Sequence, residues 1–304
     1  MTDGATAGIF TALAVLIQPG DDVLLPDPIY DAYASPIAIW GGRPVPVPSA
    51  IRDGRFAIDR AALEAACTPR ARVLLLNSPW NPTGTVWTRA ELSEWLDFAE
   101  AHDLGVISDE IYETLIYDGR RHVSPATLSP DARARTVVVN SLSKTYAMTG
   151  WRVGYCAAPA EIIQAMLLVL QQFSRGPATF LQHAAAAALA ADQASVGKMT
   201  AEYQERRDRV LQALKGIPGV VPLAPEGGLF VMLDVRGLGM PSDAVRRFLL
   251  REAGVVVIHG AAYGEAGKGT LRVSFAGGGE TLERGLERLR DGLRLLGKKS
   301  GGAA

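Results

Sequence analysis

Short apolar runs alternate with helical patterns through the first half of the chain. The runs are rich in valine, leucine and isoleucine, which is typical of strands buried on both faces of a sheet. Strands that alternate with amphipathic helices predict an α/β fold, with a mainly parallel sheet sandwiched by helices. Six runs predict strands, at residues 23–25, 45–47, 73–76, 105–108, 136–139 and 153–157.

The helix predicted over residues 89–102 has the clearest start. Thr88 and Glu91 have the spacing of a capping box, and Leu92 and Trp95 begin an apolar face. Ligands of such α/β sheets bind beyond the carboxyl ends of the strands. Candidate ligand-binding residues are therefore expected just after the strands.

The pattern changes after residues 161–191, an alanine- and leucine-rich helical stretch broken near Gly176 and Pro177. We place a domain boundary near residue 197, with a large domain over residues 1–197 and a smaller α+β domain over residues 198–304. The small domain is predicted to contain helices at 201–214, 242–253 and 280–296 and strands at 229–235, 255–258 and 270–275.

Composition is that of an ordinary globular protein: 304 residues, 48% hydrophobic and 21% charged. The net charge of −1 argues against a surface for nucleic acid or anionic membranes. The apolar stretch at residues 9–17 is too short to span a bilayer and predicts a buried first helix. Cys67 and Cys156 lack a metal-type spacing and the four histidines are scattered. We therefore expect buried free thiols, no metal site and a cytoplasmic location.

One lysine in the middle of the chain has the surroundings that an imine-forming amine needs. Lys144 follows the strand predicted at 136–139, with Ser141 and Ser143 before it and Arg152 after it. The amine can form an imine, while the hydroxyls and the guanidinium can hold a phosphate. Pyridoxal 5′-phosphate (PLP) is the cofactor that needs both.

The segment from Ser141 to Arg152, followed by Gly154 and Tyr155, resembles the cofactor-lysine segment of class I and II aminotransferases, which are fold type I PLP enzymes. The resemblance, aspartate-aminotransferase-like, implies the fold type I major domain with a smaller C-terminal domain. It also implies PLP-dependent transamination between an L-amino acid and a 2-oxo acid through an internal aldimine on Lys144, in a homodimer.

Two further strand ends carry candidate PLP ligands. The ring nitrogen needs a carboxylate to stay protonated, and Asp109 follows the strand at 105–108. A helix N-cap is the alternative for Asp109. Tyr112 and Asn81 match the family positions that hydrogen-bond the ring's phenolic oxygen, although Asn81 alone also fits an ordinary surface turn. The resemblance implies Lys144, Asp109 and Tyr112 as the catalytic residues.

The cofactor phosphate is expected at the start of the first helix. Gly4, Ala5 and Thr6 open that helix, so its free backbone N–H groups point outward. Simple helix capping is the alternative, and the match to the family's Gly-Ala-Thr motif favours the phosphate. The two serines and the arginine around Lys144 would complete this cup.

The resemblance assigns two residues outside the phosphate cup. Tyr30 fits the position whose ring stacks on the cofactor, and a half-buried core tyrosine is the alternative. Arg272 matches the arginine of the family's Arg-x-Ser-Phe segment, which with Asn81 binds the substrate and anchors its α-carboxylate. An edge-strand charge is the alternative for Arg272.

The resemblance runs from Thr2 to about residue 295 and fails at the front. Family members carry a further segment before the Gly-Ala-Thr motif, which forms an arm, part of the small domain and a contact to the partner's phosphate. Met1 falls just before that motif. We therefore expect an N-terminally shortened chain with a weakened homodimer, weaker PLP binding and poor turnover.

Two other functions are compatible with the same residues. A PLP-dependent lyase of the same fold, such as a carbon–sulfur lyase or an aminocyclopropane carboxylate synthase, shares the cofactor ligands, and turnover that depends on a 2-oxo acid separates it from an aminotransferase. A PLP-binding module without catalysis, such as a regulator's effector domain or a truncated enzyme, is the alternative from another class.

Overall fold

A six-stranded sheet forms the centre of the first half of the computed structural model, which describes residues 1–301. All six strands predicted for this half are present, while residues 302–304 of the predicted small domain lie outside the described range. The strands, with those of one added hairpin, are β1 (Asp22–Asp27), β2 (Arg43–Pro48), β3 (Ala50–Arg52), β4 (Arg55–Ala57), β5 (Ala71–Asn77), β6 (Gly105–Asp109), β7 (Thr136–Ser141) and β8 (Gly154–Ala157).

The large sheet has the order β2-β1-β5-β6-β7-β8, and only the β7–β8 pair is antiparallel. The prediction of a mainly parallel sheet is confirmed. The β3–β4 hairpin was not predicted, because strands of three residues are too short to show an alternating pattern. The Asp53-Gly54 pair at its turn was the available signal.

Helices cover both faces of this sheet, as predicted. Alternate residues of β5 enter different cores: Val73 packs in the same cluster as Leu13, and Leu74 in the same cluster as Trp95. The break predicted near Gly176 separates the last two helices of this part of the chain. The helices are α1 (Ala5–Leu16), α2 (Ala34–Ile39), α3 (Arg60–Ala66), α4 (Arg89–Ala101), α5 (Pro130–Arg135), α6 (Leu142–Thr145), α7 (Ala160–Phe173) and α8 (Thr179–Ala190).

The N-terminus of α4 has the hydrogen bonds that the sequence predicts. The capping box of α4 is present, with Thr88 Oγ1 accepting from the Glu91 amide at 3.2 Å and Glu91 Oε2 accepting from the Thr88 amide at 2.8 Å. Cys67 and Cys156 are free thiols but only half-buried, so the expectation of full burial is wrong. Among the residues the structure describes, no helix has the length and apolar character needed to cross a bilayer.

The second half contains a four-stranded antiparallel sheet of order β11-β12-β10-β9, with helices packed on it. Its elements are α9 (Ala194–Leu214), β9 (Val221–Leu223), β10 (Phe230–Asp234), α10 (Ser242–Phe248), β11 (Ile258–His259), β12 (Thr270–Ser274) and α11 (Gly279–Gly301).

Two elements of this half differ from the prediction. The helix predicted over 242–253 is α10 followed by a π-helical turn at Leu249–Ala253. The strand predicted over 255–258 is only β11, because pairing with β12 begins at Ile258. Val256 is exposed and Val257 is buried, so this stretch has the alternation of a strand without its hydrogen bonds.

The two halves share one apolar core. The core of the antiparallel sheet also includes Tyr112, Leu115 and Tyr117 from the first half, and Ile116 forms a β-bridge with Gly227. Residue 197 lies inside the continuous helix α9. The domain boundary near residue 197 therefore stays a prediction.

Candidate active site

A cavity of about 260 Å³ opens where β5 and β6 end, at the edge of the sheet that the sequence indicated. Every predicted site residue except Gly4 and Ser141 lines it. The lining residues are Ala5, Thr6, Ile9, Tyr30, Tyr33, Asn77, Asn81, Asp109, Ile111, Tyr112, Ser143, Lys144, Thr149, Arg152, Phe230 and Arg272. The fold thus brings the candidate residues of both halves of the chain into one cavity.

Lys144 lies on the short helix α6 that follows β7. Ser141 caps this helix, because its hydroxyl oxygen accepts a hydrogen bond from the Ser143 amide at 3.1 Å. Lys144 Nζ lies 5.8 Å from the centre of the Tyr112 ring. Burial lowers the pKa of Lys144, and the Arg152 guanidinium lowers it further. A lowered pKa increases the fraction of the neutral amine, which is the nucleophilic form.

Asp109 is the last residue of β6 and is 4% exposed. Its Oδ2 accepts a hydrogen bond from the Tyr33 hydroxyl at 2.7 Å, and its Oδ1 accepts one from the Ile111 amide at 3.1 Å. Burial raises the pKa of Asp109 to about 6, although both hydrogen bonds oppose that rise. Asp109 therefore holds the turn after β6 and lines the cavity. In the described residues no helix begins at this turn, so the helix N-cap interpretation is wrong.

Arg272 enters the cavity from β12, an inner strand of its sheet, so the edge-strand interpretation is wrong. Its guanidinium carbon lies 4.1 Å from the centre of the Phe230 ring and 4.6 Å from that of Tyr263. Arg272 Nη1 donates to the side-chain oxygen Oδ1 of Asn81 at 3.2 Å, and the backbone N–H of Asn81 donates to Asn77 Oδ1 at 2.7 Å. The two rings and the Asn81 side chain hold the planar guanidinium in one orientation.

Gly4 precedes α1 and touches the guanidinium of Arg152. Its φ is 85°, and a Cβ at this position would lie 2.6 Å from Arg152 Nη2, so a larger residue would displace the arginine. No side chain caps α1, which leaves the first-turn N–H groups at Ala5 and Thr6 without intrahelical partners beside the cavity. Arg152 Nη1 donates to the Thr149 carbonyl at 3.1 Å, which fixes the cation near that helix end.

Ser141 lies behind the cavity rather than in its wall. Its hydroxyl oxygen is 2.8 Å from that of Ser143 and 2.7 Å from the Val153 carbonyl, to which it donates. The direct contact of Ser141 with the cofactor phosphate stays a prediction, since the hydroxyl bonds the Val153 carbonyl and Ser143. Ser141 supports Ser143, which does line the cavity.

Tyr30 and Tyr112 line the cavity with their phenol rings. The Tyr30 ring packs edge-on against Tyr33 at 5.4 Å between ring centres, and Tyr112 against Phe230 at 6.4 Å. Burial raises the pKa of both phenols, so both keep their protons near neutral pH. Each hydroxyl can therefore donate a hydrogen bond to a ligand.

Tyr33, Asn77 and Phe230 also line the cavity, and sequence reasoning missed them. Asn77 is the last residue of β5, so the rule that ligands lie at strand ends could have found it. Tyr33 follows Tyr30 at the spacing of one helical turn, which was a weaker signal. Phe230 carries no polar group and has the appearance of an ordinary strand residue.

A polar cluster surrounds Glu110, the residue after the carboxylate that lines the cavity. Glu110 Oε2 is 2.7 Å from His122 Nε2, while Oε1 accepts from the hydroxyls of Ser108 at 2.8 Å and Ser124 at 2.7 Å. With Glu113 these side chains form a group of possible metal-ligand atoms within 4.8 Å of one another. The four histidines are scattered along the chain, so their positions did not indicate this group. Its buried carboxylate, Glu110, already has three protein partners.

The donors and acceptors of the cavity fit PLP. At one end, the first turn of α1, Ser143 and Arg152 supply backbone N–H groups, a hydroxyl and a cation, which suit a phosphate. Asp109 supplies a buried carboxylate with an elevated pKa, and a cationic ring nitrogen beside it would stabilise its ionised form. Lys144 supplies an amine with a lowered pKa, which suits an aldehyde.

Comparison with known proteins agrees with this geometry. The chain matches the aminotransferase class I and II family over residues 1–289. It is 37% identical to aromatic-amino-acid aminotransferase 2 of Thermococcus litoralis over 296 residues, which are 97% of this chain and 75% of that protein. It is 39% identical to the arginine–pyruvate transaminase of Pseudomonas aeruginosa over 286 residues, 94% of this chain and 72% of that protein.

The crystal structure of the aromatic aminotransferase from Pyrococcus horikoshii superimposes with a TM-score of 0.92 at 38% sequence identity. The match covers 98% of this chain and 78% of that structure, which confirms the predicted PLP fold type I architecture. The chain therefore belongs to the class I and II aminotransferase family and is a PLP-dependent transaminase.

Proposed function

We propose that this transaminase transfers an amino group between an L-amino acid and a 2-oxo acid, with Lys144 as the residue that binds PLP covalently. One observation carries the proposal: an amine with a lowered pKa lies in the same cavity as a buried carboxylate, Asp109, and a fixed guanidinium, Arg272. These three groups match the needs of an aldehyde, a ring nitrogen and a substrate carboxylate.

Each of these side chains has a separate task in the proposed reaction. When bound, PLP supplies an electron sink for the bonds at the substrate's α-carbon. Arg272 binds the α-carboxylate and orients the substrate. Lys144 Nζ takes the proton from the α-carbon as a general base and, as a general acid, would deliver it to the cofactor carbon that carried the aldehyde. Asp109 keeps a proton on the ring nitrogen, and Tyr112 and Asn81 hydrogen-bond the phenolic oxygen.

The remaining predicted residues hold the cofactor in place. We assign the phosphate to the cup at the start of α1 and the ring face to Tyr30. Ser141 acts through Ser143, since its hydroxyl contacts that residue rather than the cavity. The phosphate cup comprises Gly4, Ala5, Thr6, Ser143 and Arg152.

We also propose that the protein is a homodimer. Ile39, Leu168, Phe173 and Phe180 are each more than half exposed, at 66%, 65%, 51% and 71%. Large apolar side chains at the surface favour association with another protein surface. Sedimentation of the full chain tests this proposal, and a monomer at all concentrations would contradict it. The cytoplasmic location remains a prediction from the sequence.

Covalent labelling tests the role of Lys144. The full chain mixed with PLP should absorb near the visible edge, and borohydride should fix the cofactor on the peptide that contains Lys144. Lys144→Ala should lose the label and lower turnover by about 10⁴-fold or more, because the nucleophile and the base are the same group. Lys215→Ala, at an exposed lysine, is the matched control and should keep both.

The label and the turnover measure different parts of the proposal. A label on any other lysine contradicts the role of Lys144. Amino-group transfer should require both a donor and a 2-oxo acid acceptor, tested with aromatic, aspartate and arginine donors because the relatives carry those names. Turnover that proceeds without an acceptor would identify a lyase instead.

A further inference from the structure

The hydroxyl of Tyr33 contacts the carboxylate that faces the cavity. Tyr33 immediately precedes α2 and is 3% exposed, and its hydroxyl donates to Asp109 Oδ2 at 2.7 Å. Its ring packs in the same apolar cluster as Leu25 and Ile37. A buried polar group is expected to be hydrogen-bonded, and among the described residues the Asp109 carboxylate is the partner of this hydroxyl. The tyrosine therefore connects the core of the sheet to the site.

Two hydrogen bonds fix the rotation of the Asp109 carboxylate. Tyr33 holds one oxygen and the Ile111 amide holds the other, at 2.7 and 3.1 Å. Each oxygen retains a further lone pair, and Asp109 lines the cavity, so the free lone pairs can meet a donor there. A carboxylate held at both oxygens needs no reorganisation when the ligand binds.

We infer that Tyr33 is a positioning residue for Asp109: its hydroxyl keeps the carboxylate ionised and oriented toward the nitrogen of the bound PLP ring. This inference rests on the proposed function, in which Asp109 carries that role. Tyr33 itself touches neither the reacting atoms nor the substrate carboxylate in this assignment. It acts through the hydrogen bond to Asp109.

The charges around this pair make Tyr33 a permanent donor. Burial and the adjacent Asp109 raise the pKa of Tyr33 well above its ordinary value, so the phenol keeps its proton and can donate it to the ionised carboxylate. Loss of its hydroxyl removes a hydrogen bond that lowers the pKa of Asp109. The titratable groups that face Asp109 are Tyr30, Tyr33, Glu110, Tyr112, Lys144 and Cys156.

The pKa of Asp109 in the Tyr33→Phe variant tests the inference. We expect carboxyl NMR titration of the full chain without PLP to show a rise of about one pH unit, because a hydrogen bond to a charged acceptor is lost. With PLP bound, the acid limb of the pH–kcat profile should shift to higher pH by a similar amount. At neutral pH kcat should fall about tenfold with KM little changed, because substrate binding uses Arg272.

Tyr117→Phe is the matched control. Tyr117 is also a buried tyrosine, its hydroxyl donates to the Gly228 carbonyl at 2.5 Å, and it does not line the cavity. It should lose stability without moving the pKa of Asp109. If Tyr33→Phe misfolds, 3-fluorotyrosine at position 33 keeps the ring and strengthens the donor, so the pKa of Asp109 should fall.

The titration without PLP separates this inference from the proposed function. An unchanged pKa of Asp109 in both Tyr33 variants would show that the tyrosine only packs, and would leave the role of Lys144 intact. A shifted pKa of Asp109 without any effect on turnover would support the hydrogen bond but contradict its role in the reaction. Failure of the wild-type chain to attach PLP would contradict the proposed function and leave the NMR result standing.

Discussion

Asp22 and Asp109 are buried carboxylates at opposite edges of the same sheet, and their surroundings differ. Asp22 begins β1, and both of its oxygens accept from the Arg43 guanidinium, at 2.7 and 2.6 Å. The Thr68 hydroxyl donates to it as well, at 2.5 Å. The Arg43 hydrogen bonds lower the pKa of Asp22 despite burial. Asp109 ends β6 and bonds a tyrosine hydroxyl and one amide instead, and burial raises its pKa to about 6.

The difference separates a carboxylate that has a cationic partner from one that has only uncharged partners. At the amino edge of the sheet a cation from the next strand satisfies Asp22 permanently. At the carboxyl edge, hydrogen bonds orient Asp109 while its desolvation remains only partly offset. A ligand that brings a positive charge can complete that offset, so a carboxylate with an elevated pKa favours the binding of a cation.

The largest effect should follow from Asp109→Asn in the presence of PLP. An amide cannot keep the ring nitrogen protonated, so the barrier to removal of the α-proton should rise by about 4 kcal/mol, or roughly 10³-fold in kcat. Single-turnover kinetics with one amino donor measures this step. Asp109→Glu should lose less, because the charge is retained.

Asp22→Asn is the matched control for the catalytic effect. It removes a buried charge from the other edge of the same sheet, so kcat per folded molecule should stay within about twofold of wild type. A comparable loss of kcat in both variants would show that the sheet tolerates neither substitution. The contrast between the two carboxylates would then have no functional meaning.

The second effect is a loss of stability, which should be larger for substitution of Asp22 than for substitution of Asp109. Asp22→Asn breaks two charge-assisted hydrogen bonds at a buried acceptor, so the free energy of unfolding should fall by about 2 kcal/mol. Because the native pKa of Asp22 is lowered, the stabilisation is present above the unfolded pKa and disappears as pH falls through the native value. Urea unfolding of the full chain at several pH values measures the loss. A loss that persisted at low pH would contradict the ion pair as its cause.

The contrast also shows what the sequence could predict. Asp109 was identifiable because it follows an apolar run, and ligands of parallel sheets lie at the carboxyl ends of strands. The same reasoning found Asn81 and Lys144 after two other strands. The order of elements along the chain, which the alternation of apolar and polar residues indicates well, located these strand ends. The resemblance to the aminotransferase family then decided which residues were assigned there.

Contacts between distant segments were beyond that reasoning. The hydrogen bond from Tyr33 to Asp109 depends on how α2 packs on the sheet, and the rings of Phe230 and Tyr263 meet Arg272 only because the two halves of the chain share a core. Ser141 has the right sequence position for a phosphate ligand, but the turn after β7 directs its hydroxyl to backbone. No pattern along the chain encodes these directions.

The smallest effect is a gain in stability when Asp109→Asn is studied without PLP. The pKa of Asp109 is raised from 3.8 to about 6, so ionisation disfavours the folded state. The contribution of Asp109 to stability is therefore greatest at low pH and falls as pH rises from about 4 to about 6. Asparagine carries no charge, so near pH 7.5 the free energy of unfolding of the variant should exceed that of wild type by about 1 kcal/mol. Near pH 4 the two free energies should not differ in favour of the variant.

The gain should be small because asparagine offers only one acceptor oxygen to the two donors, Tyr33 and the Ile111 amide. Urea unfolding of the PLP-free full chain at both pH values measures it. The pH dependence should be opposite to that of Asp22→Asn, whose loss of stability grows with pH as the paired carboxylate ionises. If both variants lost stability with the same pH dependence, Asp109 would be a structural carboxylate like Asp22. The elevated pKa at the carboxyl edge of the sheet would then not mark a residue prepared for a cationic ligand.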